Sequence, residues 1–281
     1  MKITLAHSPD ADDAFMFYAL AKGLIDTGRY SFEHTLSDIQ TLNSHATKGV
    51  FDVTALSVAA YPRVADRYQI LSCGASMGDG YGPVVVSRAP LSRDELAKAT
   101  IAIPGLETSA YLALRLYLHP DEPAVHAVNF DEIGARVLAG DYDAGLLIHE
   151  GQLTYTNEGL NLVADLGVWW KEETGLPLPL GINAIKRDMP EEAKNDVARL
   201  LKESIAYALN NQRDAIKYAM SFARNLPEAN AQKFVNMYVN DLTLNLGDTG
   251  LQAIKLFLGG SDAWTPAKNK TLDILVANSD G

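Results

Sequence analysis

The sequence contains a single cysteine, Cys73, which cannot form a disulfide within the chain or build a metal site on its own. No run approaches the ~18 apolar residues that a membrane-spanning helix needs. Basic residues are scarce, with 24 Lys and Arg against 35 Asp and Glu and a formal net charge of −11. This balance argues against nucleic acid and against anionic membrane surfaces as partners. A small anionic ligand is still compatible with it, because a few placed amides or hydroxyls can bind an anion locally.

Two further patterns are missing. No Gly-x-Gly-x-x-Gly follows the first predicted strand, so a dinucleotide is not expected. No His-x-His, His-Glu-x-x-His or cysteine pair indicates a metal, and neither a metal nor an organic cofactor is predicted. The glycine-rich residues 74–82 do not fit a phosphate loop, and we interpret them as a mobile connection near the ligand. Residues 1–7 turn polar at once and lack the features of a signal peptide, so we expect a cytoplasmic protein.

Short apolar strands alternate with helical segments along the first ~180 residues. Residues 2–6, 31–36 and 51–56 read as strands, with helices predicted over 14–22 and 39–48. A second series of strands and helices starts at residue 100. This alternation predicts α/β architecture with a parallel sheet covered on both faces. The pattern then becomes helical, with helices predicted over residues 190–209, 212–225, 229–240 and 249–257.

The length of 281 residues favours two domains. Strands on both sides of residues ~90 and ~180 indicate that the chain leaves a first lobe and later returns to it. We therefore predict a two-lobed fold like that of type II periplasmic binding proteins, with a ligand cleft between the lobes. The larger lobe would contain residues 1–90 and 181–281, and the smaller lobe residues 91–180. The long amphipathic helices of the C-terminal part are able to support a homodimer.

Two turns of the predicted larger lobe, each following a strand, carry polar side chains toward this cleft. The first contains Ser8, Asp10 and Asp13, which either cap a helix or, in the case of Asp13, orient a ligand hydroxyl or hold a neighbouring group in place. In the second, Ser57 follows the strand that ends near Leu56. Ser57 caps the helix that starts near Val58, offers a hydrogen-bond donor to a ligand, or does both.

Two further candidates come from the predicted smaller lobe. Residues 105–110 place a glycine before Thr108 and Ser109 at a helix start, where backbone amides can hold a carboxylate. His149 follows an apolar strand, and imidazole is the side chain best matched to proton transfer near neutral pH. A histidine in such a place is more often structural than catalytic. Trp169 and Trp170 are interpreted as packing residues, and His7 is a further candidate for the cleft.

At these same places the sequence resembles a known enzyme family. The segments that carry the resemblance are His7 to Phe15, Asp38 to Asn43, Leu56 to Tyr61, Pro104 to Tyr111, Leu147 to Glu150 and Trp169 to Gly181. Together they look like those of the 1,4-dihydroxy-6-naphthoate synthases of the futalosine route to menaquinone. The resemblance covers most of the first ~190 residues and is weaker in the helical tail.

The resemblance implies a carbon–carbon lyase that acts on cyclic dehypoxanthine futalosine, a small anionic organic substrate, without a cofactor. His149 matches the family's general base. The substrate-contacting turns match Ala55, Leu56 and Ser57 in one place and Thr108, Ser109 and Ala110 in the other. Some members have Cys-Pro-Asn-Asp where this chain has residues 10–13, but Asp13 keeps its place, and Ser8 stands in the same turn.

Other functions remain open from the sequence. Chorismate dehydratase of the same pathway shares the fold and also eliminates from a cyclic carboxylate. A transport receptor or another non-catalytic protein that binds a small anion would need no base at His149. A regulatory ligand-binding domain is the least specific alternative, and no DNA-binding module is recognised.

Overall fold

The computed structural model describes residues 1–222, 227–259, 272, 274 and 275. Its strands are β1 (Lys2–His7), β2 (Ser31–Leu36), β3 (Val53–Ser57), β4 (Tyr68–Leu71), β5 (Ser76–Gly78), β6 (Val84–Ser87), β7 (Thr100–Ile103), β8 (Ala124–Ala127), β9 (Ala144–Leu147), β10 (Asn161–Asp165), β11 (Leu178–Lys186) and β12 (Ile274–Leu275). Its α-helices are α1 (Ala11–Met16), α2 (Tyr18–Lys22), α3 (Ile39–Thr47), α4 (Arg93–Leu96), α5 (Ser109–Leu118), α6 (Ile133–Ala139), α7 (Gly151–Thr154), α8 (Leu166–Thr174), α9 (Glu191–Asn210), α10 (Gln212–Ala219), α11 (Glu228–Tyr238), α12 (Asp241–Leu244) and α13 (Gly247–Gly259). Short 3-10 helices occupy Val58–Arg63 and Phe130–Glu132.

The strands form two sheets. The larger sheet has the order β12-β4-β11-β3-β1-β2, and β5 also pairs with β11. The smaller sheet has the order β10-β6-β9-β7-β8. The prediction of parallel sheets is only partly right: β1 runs parallel to β2 and β3, but β11 is antiparallel to β3, β4 and β5. The chain reaches β11 from β10 of the smaller sheet, and a connection between two sheets is not bound to the parallel direction of a crossover within one sheet.

All strands of the smaller sheet come from residues 84–165. β6 therefore belongs to the smaller sheet, whereas the predicted division counts residues 1–90 with the larger lobe. The difference arises because the turn near residue 80 already carries the chain across. The assignment of whole lobes stays a prediction. Among the described residues, no helix is long and apolar enough to cross a membrane.

The C-terminal helices pack on the larger sheet beside β1. In α9, buried residues recur at intervals of three or four, as in Val197, Leu201, Ile205 and Ala208, which gives the helix one apolar face. That face packs in a core with Phe15 of α1 and other apolar side chains. Burying one such large side chain stabilises the fold by about 1.5–3 kcal/mol. The N-terminal strand and the C-terminal helices thus share one core.

The predicted helix over residues 14–22 is interrupted at Phe17, between α1 and α2. The Ser204 hydroxyl of α9 donates to the Met16 carbonyl at 2.8 Å, and the Leu20 N–H donates to the same hydroxyl at 3.4 Å. The side chain therefore replaces the direct helical bond between Leu20 and Met16. Because the inserted hydroxyl belongs to a residue 188 positions away from Met16, no local pattern could predict the break.

Residues 74–82, predicted as a mobile connection, contain β5, which pairs with β11. Two of their glycines allow backbone segments to pack closely against each other. A β-carbon at Gly78 would stand 2.0 Å from the Tyr81 carbonyl oxygen, and one at Gly82 would stand 2.9 Å from the Gly167 nitrogen. Gly167 lies in α8, a helix that was not predicted and that begins where the Asp165 carboxylate accepts from the Gly167 and Val168 N–H groups. In the predicted helix over 212–225, α10 ends at Ala219. Residues 223–226 lie outside the described part.

Candidate active site

A cavity that is partly open to solvent lies where the chain leaves β1, β3, β7 and β9. β1 and β3 belong to the larger sheet, and β7 and β9 belong to the smaller sheet. Nine of the residues predicted from the sequence as site residues line this cavity, namely Ser8, Asp13, Ala55, Leu56, Ser57, Thr108, Ser109, Ala110 and His149. The structure therefore brings the four predicted turns together, while the role of each residue stays a prediction.

The start of α5 forms one part of the cavity wall. Thr108 occupies the N-cap position, where its hydroxyl accepts from the Tyr111 N–H at 3.2 Å and donates to the Gly105 carbonyl at 2.8 Å. The Ser109 hydroxyl donates to the Leu180 carbonyl at 2.6 Å. Both hydroxyls are thus used within the protein. What α5 offers a ligand is its first N–H groups, at Ser109 and Ala110, which a helix leaves without intrahelical acceptors.

Ser57 is held by Asn43 of α3. The Ser57 N–H donates to the Asn43 side-chain oxygen at 2.9 Å, and the Asn43 amide donates to the Ser57 hydroxyl at 3.0 Å. Ser57 makes no side-chain capping bond to the 3-10 helix that follows it. The capping alternative is therefore wrong, and the Ser57 hydroxyl keeps its proton to donate at the cavity.

His149 follows β9 and has a positive φ of 56°, which no other non-glycine residue among those described shares. Its Nδ1 lies 2.8 Å from an Asp10 carboxylate oxygen, and the Phe130 ring meets the imidazole edge to face at 4.7 Å between centroids. Burial alone would lower the pKa of His149. The charge and hydrogen bond of Asp10, aided by Glu150 and Asp12, outweigh burial and raise this pKa to about 9.

The turn between β1 and α1 is acidic and buried. Asp10 stands at the N-cap position of α1 without a side-chain capping bond, so the capping alternative fails for this residue. An Asp13 carboxylate oxygen accepts from the Ser8 N–H at 2.9 Å. Burial, and next the charge of Asp10, raise the pKa of Asp13 to about 6. Burial and the neighbouring carboxylates raise the pKa of Asp12 well above its usual value, and burial also raises that of Glu150.

Sequence reasoning missed Asn183 and Gln152, which also line the cavity. The Asn183 amide donates to the Gly74 carbonyl at 2.8 Å, while its buried side-chain oxygen has no hydrogen-bond partner within the described chain. A polar residue in the otherwise apolar β11 was the available signal. The Gln152 amide is oriented with its nitrogen toward the neighbouring acceptors. In this orientation the nitrogen donates to the Gly82 carbonyl at 2.6 Å, and the amide oxygen accepts from the His149 N–H at 3.2 Å.

Ser76 is a further cavity residue that was overlooked. Residues 74–78 fit the Gly-x-Ser-x-Gly spacing of a nucleophile elbow, which places its serine on a turn between strand and helix. Here Ser76 lies within β5, and its hydroxyl donates to Asp12 at 3.0 Å. The structure therefore lacks the turn that would expose this serine as a nucleophile.

Two other expectations concern aromatic and histidine side chains. His7 is buried outside the cavity lining, with Nδ1 2.7 Å from the Ser8 carbonyl oxygen and its ring stacked on Phe17. Burial lowers the pKa of His7 to about 3, so this candidate for the cleft is a neutral core residue. Trp170 packs against Phe257 and donates to the Pro177 carbonyl at 3.1 Å, in agreement with a packing role. Within the described ranges, no group of three or more His, Cys, Asp and Glu side chains is placed to hold a metal ion.

Solved structures similar to this chain establish its fold. A crystal structure of a protein from Archaeoglobus fulgidus has a TM-score of 0.88 at 48% identity, over 93% of this chain and 97% of that one. The alkanesulfonate-binding protein SsuA from Xanthomonas axonopodis pv. citri has a TM-score of 0.66 at 14% identity, over 84% of each chain. The second likeness shows the fold alone, and it confirms the predicted α/β fold of the periplasmic-binding-protein type.

Sequence relatives extend over nearly the whole chain. A 1,4-dihydroxy-6-naphthoate synthase from Thermus thermophilus is 39% identical over 261 residues, which cover 93% of this chain and 94% of that protein. A 1,4-dihydroxy-6-naphthoate synthase from Streptomyces coelicolor is 35% identical, over 90% of each chain. The predicted resemblance is confirmed. Residues 3–261 match the family model described as menaquinone biosynthesis, and the chain therefore belongs to that family.

Proposed function

We propose that this protein is a 1,4-dihydroxy-6-naphthoate synthase. It would convert cyclic dehypoxanthine futalosine into 1,4-dihydroxy-6-naphthoate, with His149 as the general base. The observation that carries the proposal is the imidazole of His149, which lines the same cavity as the start of α5 and bonds to Asp10 at 2.8 Å. Two relatives that bear this enzyme's name, at 39% and 35% identity, support the choice of reaction.

The polarity of the cavity suits a substrate with a carboxylate at one end and sugar hydroxyls at the other. The first N–H groups of α5 and its positive dipole end favour a carboxylate. Asp12 and Asp13 lie in the turn after β1, and carboxyl oxygens accept hydrogen bonds from hydroxyl groups. Repulsion from this acidic turn would also keep the substrate carboxylate at α5. We therefore place the sugar part of the substrate beside His149.

In the proposed reaction, a neutral His149 removes the proton of a sugar hydroxyl. The electron pair left on oxygen forms a carbonyl as the neighbouring carbon–carbon bond breaks. The pair of that bond stays on the carbon of the naphthoate part, the His149 imidazolium returns the proton to neutralise it, and the sugar-derived fragment leaves with its new carbonyl group. Because Nδ1 is engaged by Asp10, Nε2 is the ring atom that receives the proton. A general base contributes about 10²–10⁴-fold to such a rate. Closure of the two lobes over the substrate would exclude bulk water and strengthen the hydrogen bonds between the site and the substrate.

The family is biosynthetic, and we include the cytoplasm as the place of the reaction in the proposal. The ligand class is a small anionic organic molecule. Chorismate, the substrate of the alternative dehydratase, also carries carboxylates, so the assay has to separate the two reactions.

The test is an anaerobic assay of the purified protein with cyclic dehypoxanthine futalosine, with naphthoate formation followed by chromatography. We expect turnover by the wild type and a loss of about a hundredfold or more in His149→Ala. His126→Ala, which changes an exposed histidine of β8, is the matched control and keeps the wild-type rate. No turnover by folded wild type would reject the synthase and favour a binding protein. Steady consumption of chorismate instead would favour the dehydratase.

A further inference from the structure

The Asp10 and His149 side chains meet across the cavity from different sheets. Asp10 follows β1 of the larger sheet, and His149 follows β9 of the smaller sheet. The two residues are 139 positions apart, yet Nδ1 of His149 lies 2.8 Å from an Asp10 carboxylate oxygen. A second contact follows the same route, since the Ala11 N–H donates to Glu150 at 3.4 Å. The turn after β1 and the turn after β9 are thus joined directly.

We propose that Asp10 is the positioning residue of His149, and that the base is complete only while the two sheets keep this arrangement. The role of Asp10 in catalysis rests on the proposed function, whereas the hydrogen bond between Asp10 and His149 does not depend on it. In this role Asp10 accepts the Nδ1 proton and fixes the imidazole tautomer. Nε2 is then the atom that exchanges a proton with the substrate.

The Asp10 side chain is held by contacts within its own turn, independently of His149. The Ser8 hydroxyl donates to an Asp10 carboxylate oxygen at 2.5 Å, and the Asp10 N–H donates back to that hydroxyl at 3.1 Å. Its carboxylate is nearly buried and makes no capping bond to the start of α1. A carboxylate at an N-cap position normally bonds to the helix, so its engagement with His149 in place of the cap marks a specific role.

His149 is likewise fixed from its own side. Its left-handed backbone conformation is uncommon for a residue with a β-carbon and persists only where neighbours impose it. The Phe130 ring packs on the imidazole, and with its amide oxygen turned toward the backbone Gln152 accepts from the His149 N–H at 3.2 Å. These contacts direct the side chain toward the turn after β1. If the two sheets moved apart, Asp10 and His149 would each keep the contacts within their own turn, but the hydrogen bond between them would break.

The charged groups around His149 are acidic. Asp10, Asp12 and Asp13 face it from the turn after β1, and Glu150 follows it in the chain. Asp131 and Glu158 line a second cavity that also contacts His149 and Asp10. Asp10 makes the one carboxylate contact with the imidazole at hydrogen-bond distance among the ion pairs of the described residues. Its removal is therefore expected to have a larger effect on His149 than removal of any other carboxylate.

The test compares Asp10→Asn with wild type and with Asp94→Asn, an exposed carboxylate of α4. Proteins labelled with 15N-histidine are titrated by NMR without substrate, and His149→Ala assigns the His149 signal. We expect the pKa of His149 to fall by about one pH unit or more in Asp10→Asn and to stay unchanged in Asp94→Asn. An unchanged titration in Asp10→Asn would overturn the pairing. If Asp10→Asn fails to fold, the 15N shifts of wild type above pH 9 decide, since a neutral Nε2–H tautomer would contradict the proposal.

The pH dependence of turnover tests the catalytic part. The Asp10→Asn variant loses the contact that positions the imidazole, but its His149 is easier to deprotonate. Because these two effects oppose each other at pH 7, kcat of the variant should be only slightly below that of wild type there. The deficit should reach about ten- to a hundredfold at pH 9.5, with KM changed less than threefold, and Asp10→Glu should restore part of it. A deficit that is equal at both pH values would overturn the positioning role. If the His149 pKa shifts in Asp10→Asn but the wild type shows no turnover, the synthase assignment is rejected while the pairing of Asp10 with His149 stands.

Discussion

Gly74 lies so close to Asn183 that a β-carbon built on the glycine would stand 2.3 Å from the Asn183 amide nitrogen. The same glycine has a φ of +80°, and its carbonyl accepts the Asn183 amide hydrogen bond. Both residues line the cavity. A side chain at position 74 would therefore displace Asn183, whose side-chain oxygen is an unused acceptor among the described residues.

We predict that Gly74→Ala destabilises the protein by about 2–4 kcal/mol and raises KM about tenfold, because the methyl group adds a clash to the cost of the positive φ. Gly80→Ala is the matched control, since Gly80 has a φ of +79° and open space where a β-carbon would stand. Its expected cost is about 1 kcal/mol, with KM unchanged. Urea unfolding and steady-state kinetics measure both effects, and equal losses in the two variants would contradict the steric explanation.

The raised pKa of His149 sets the expected pH dependence of the enzyme. With a pKa of about 9, only about 1% of His149 is neutral at pH 7. Because a general base acts in its neutral form, kcat/KM should rise about tenfold from pH 7 to pH 8 and level off above pH 9. The measurement is a pH–rate profile in overlapping buffers, with circular dichroism to show that the fold persists. A flat profile between pH 7 and pH 9 would contradict the role of His149 as the base.

Asp13 is expected to lower stability at neutral pH. Its folded pKa of about 6 lies above the value of 3.8 for a free carboxyl group, so the folded state holds this proton more tightly than the unfolded state. The free energy of unfolding therefore falls as the pH rises from about 4 to about 6. We predict that Asp13→Asn raises it by about 1–3 kcal/mol at pH 8, since the amide oxygen can still accept from the Ser8 N–H.

The gain from Asp13→Asn should vanish below pH 4, where Asp13 is protonated in both states. Urea unfolding at pH 8 and pH 3.5 measures the difference, with Asp94→Asn as the exposed control. Activity should fall in the same variant, because Asp13 lines the cavity. A gain of equal size at both pH values would show that burial of the charge is not the cause.

Much of the site could be predicted because each turn is encoded by neighbouring residues. The strand that ends at His7, the hydroxyls at the start of α5 and the apolar residues before His149 are all local signals. Parallel strands gather their carboxyl ends at one edge, which is why local signals from β1, β3, β7 and β9 met at one cavity. The same reasoning predicted most of the strands and helices in the first 180 residues, but it missed α8 and the break at Phe17.

The rest depends on contacts between residues that are distant in sequence. The antiparallel entry of β11, the hydroxyl of Ser204 that interrupts the helix at Phe17, and the Asn183 amide on Gly74 each join distant segments. Asp10 reads in the sequence as a capping residue, because the partner that takes its carboxylate lies 139 positions away. Periodicity and turn chemistry carry no information about such pairs.

The position of β11 between β3 and β4 has a consequence for synthesis on the ribosome. β3 ends at Ser57, whereas β11 ends at Lys186, so roughly 130 residues are added before β11 can join β3 to β4. At about 5–20 residues per second, this interval lasts on the order of ten seconds. All strands of the smaller sheet emerge within it, while one edge of β3 stays unpaired in the nascent chain. Both edges of β4 are unpaired over the same interval, because its partners β11 and β12 come later in the chain. Aggregation during translation is therefore expected to start at β3 and β4, and a holding chaperone would protect the nascent chain there.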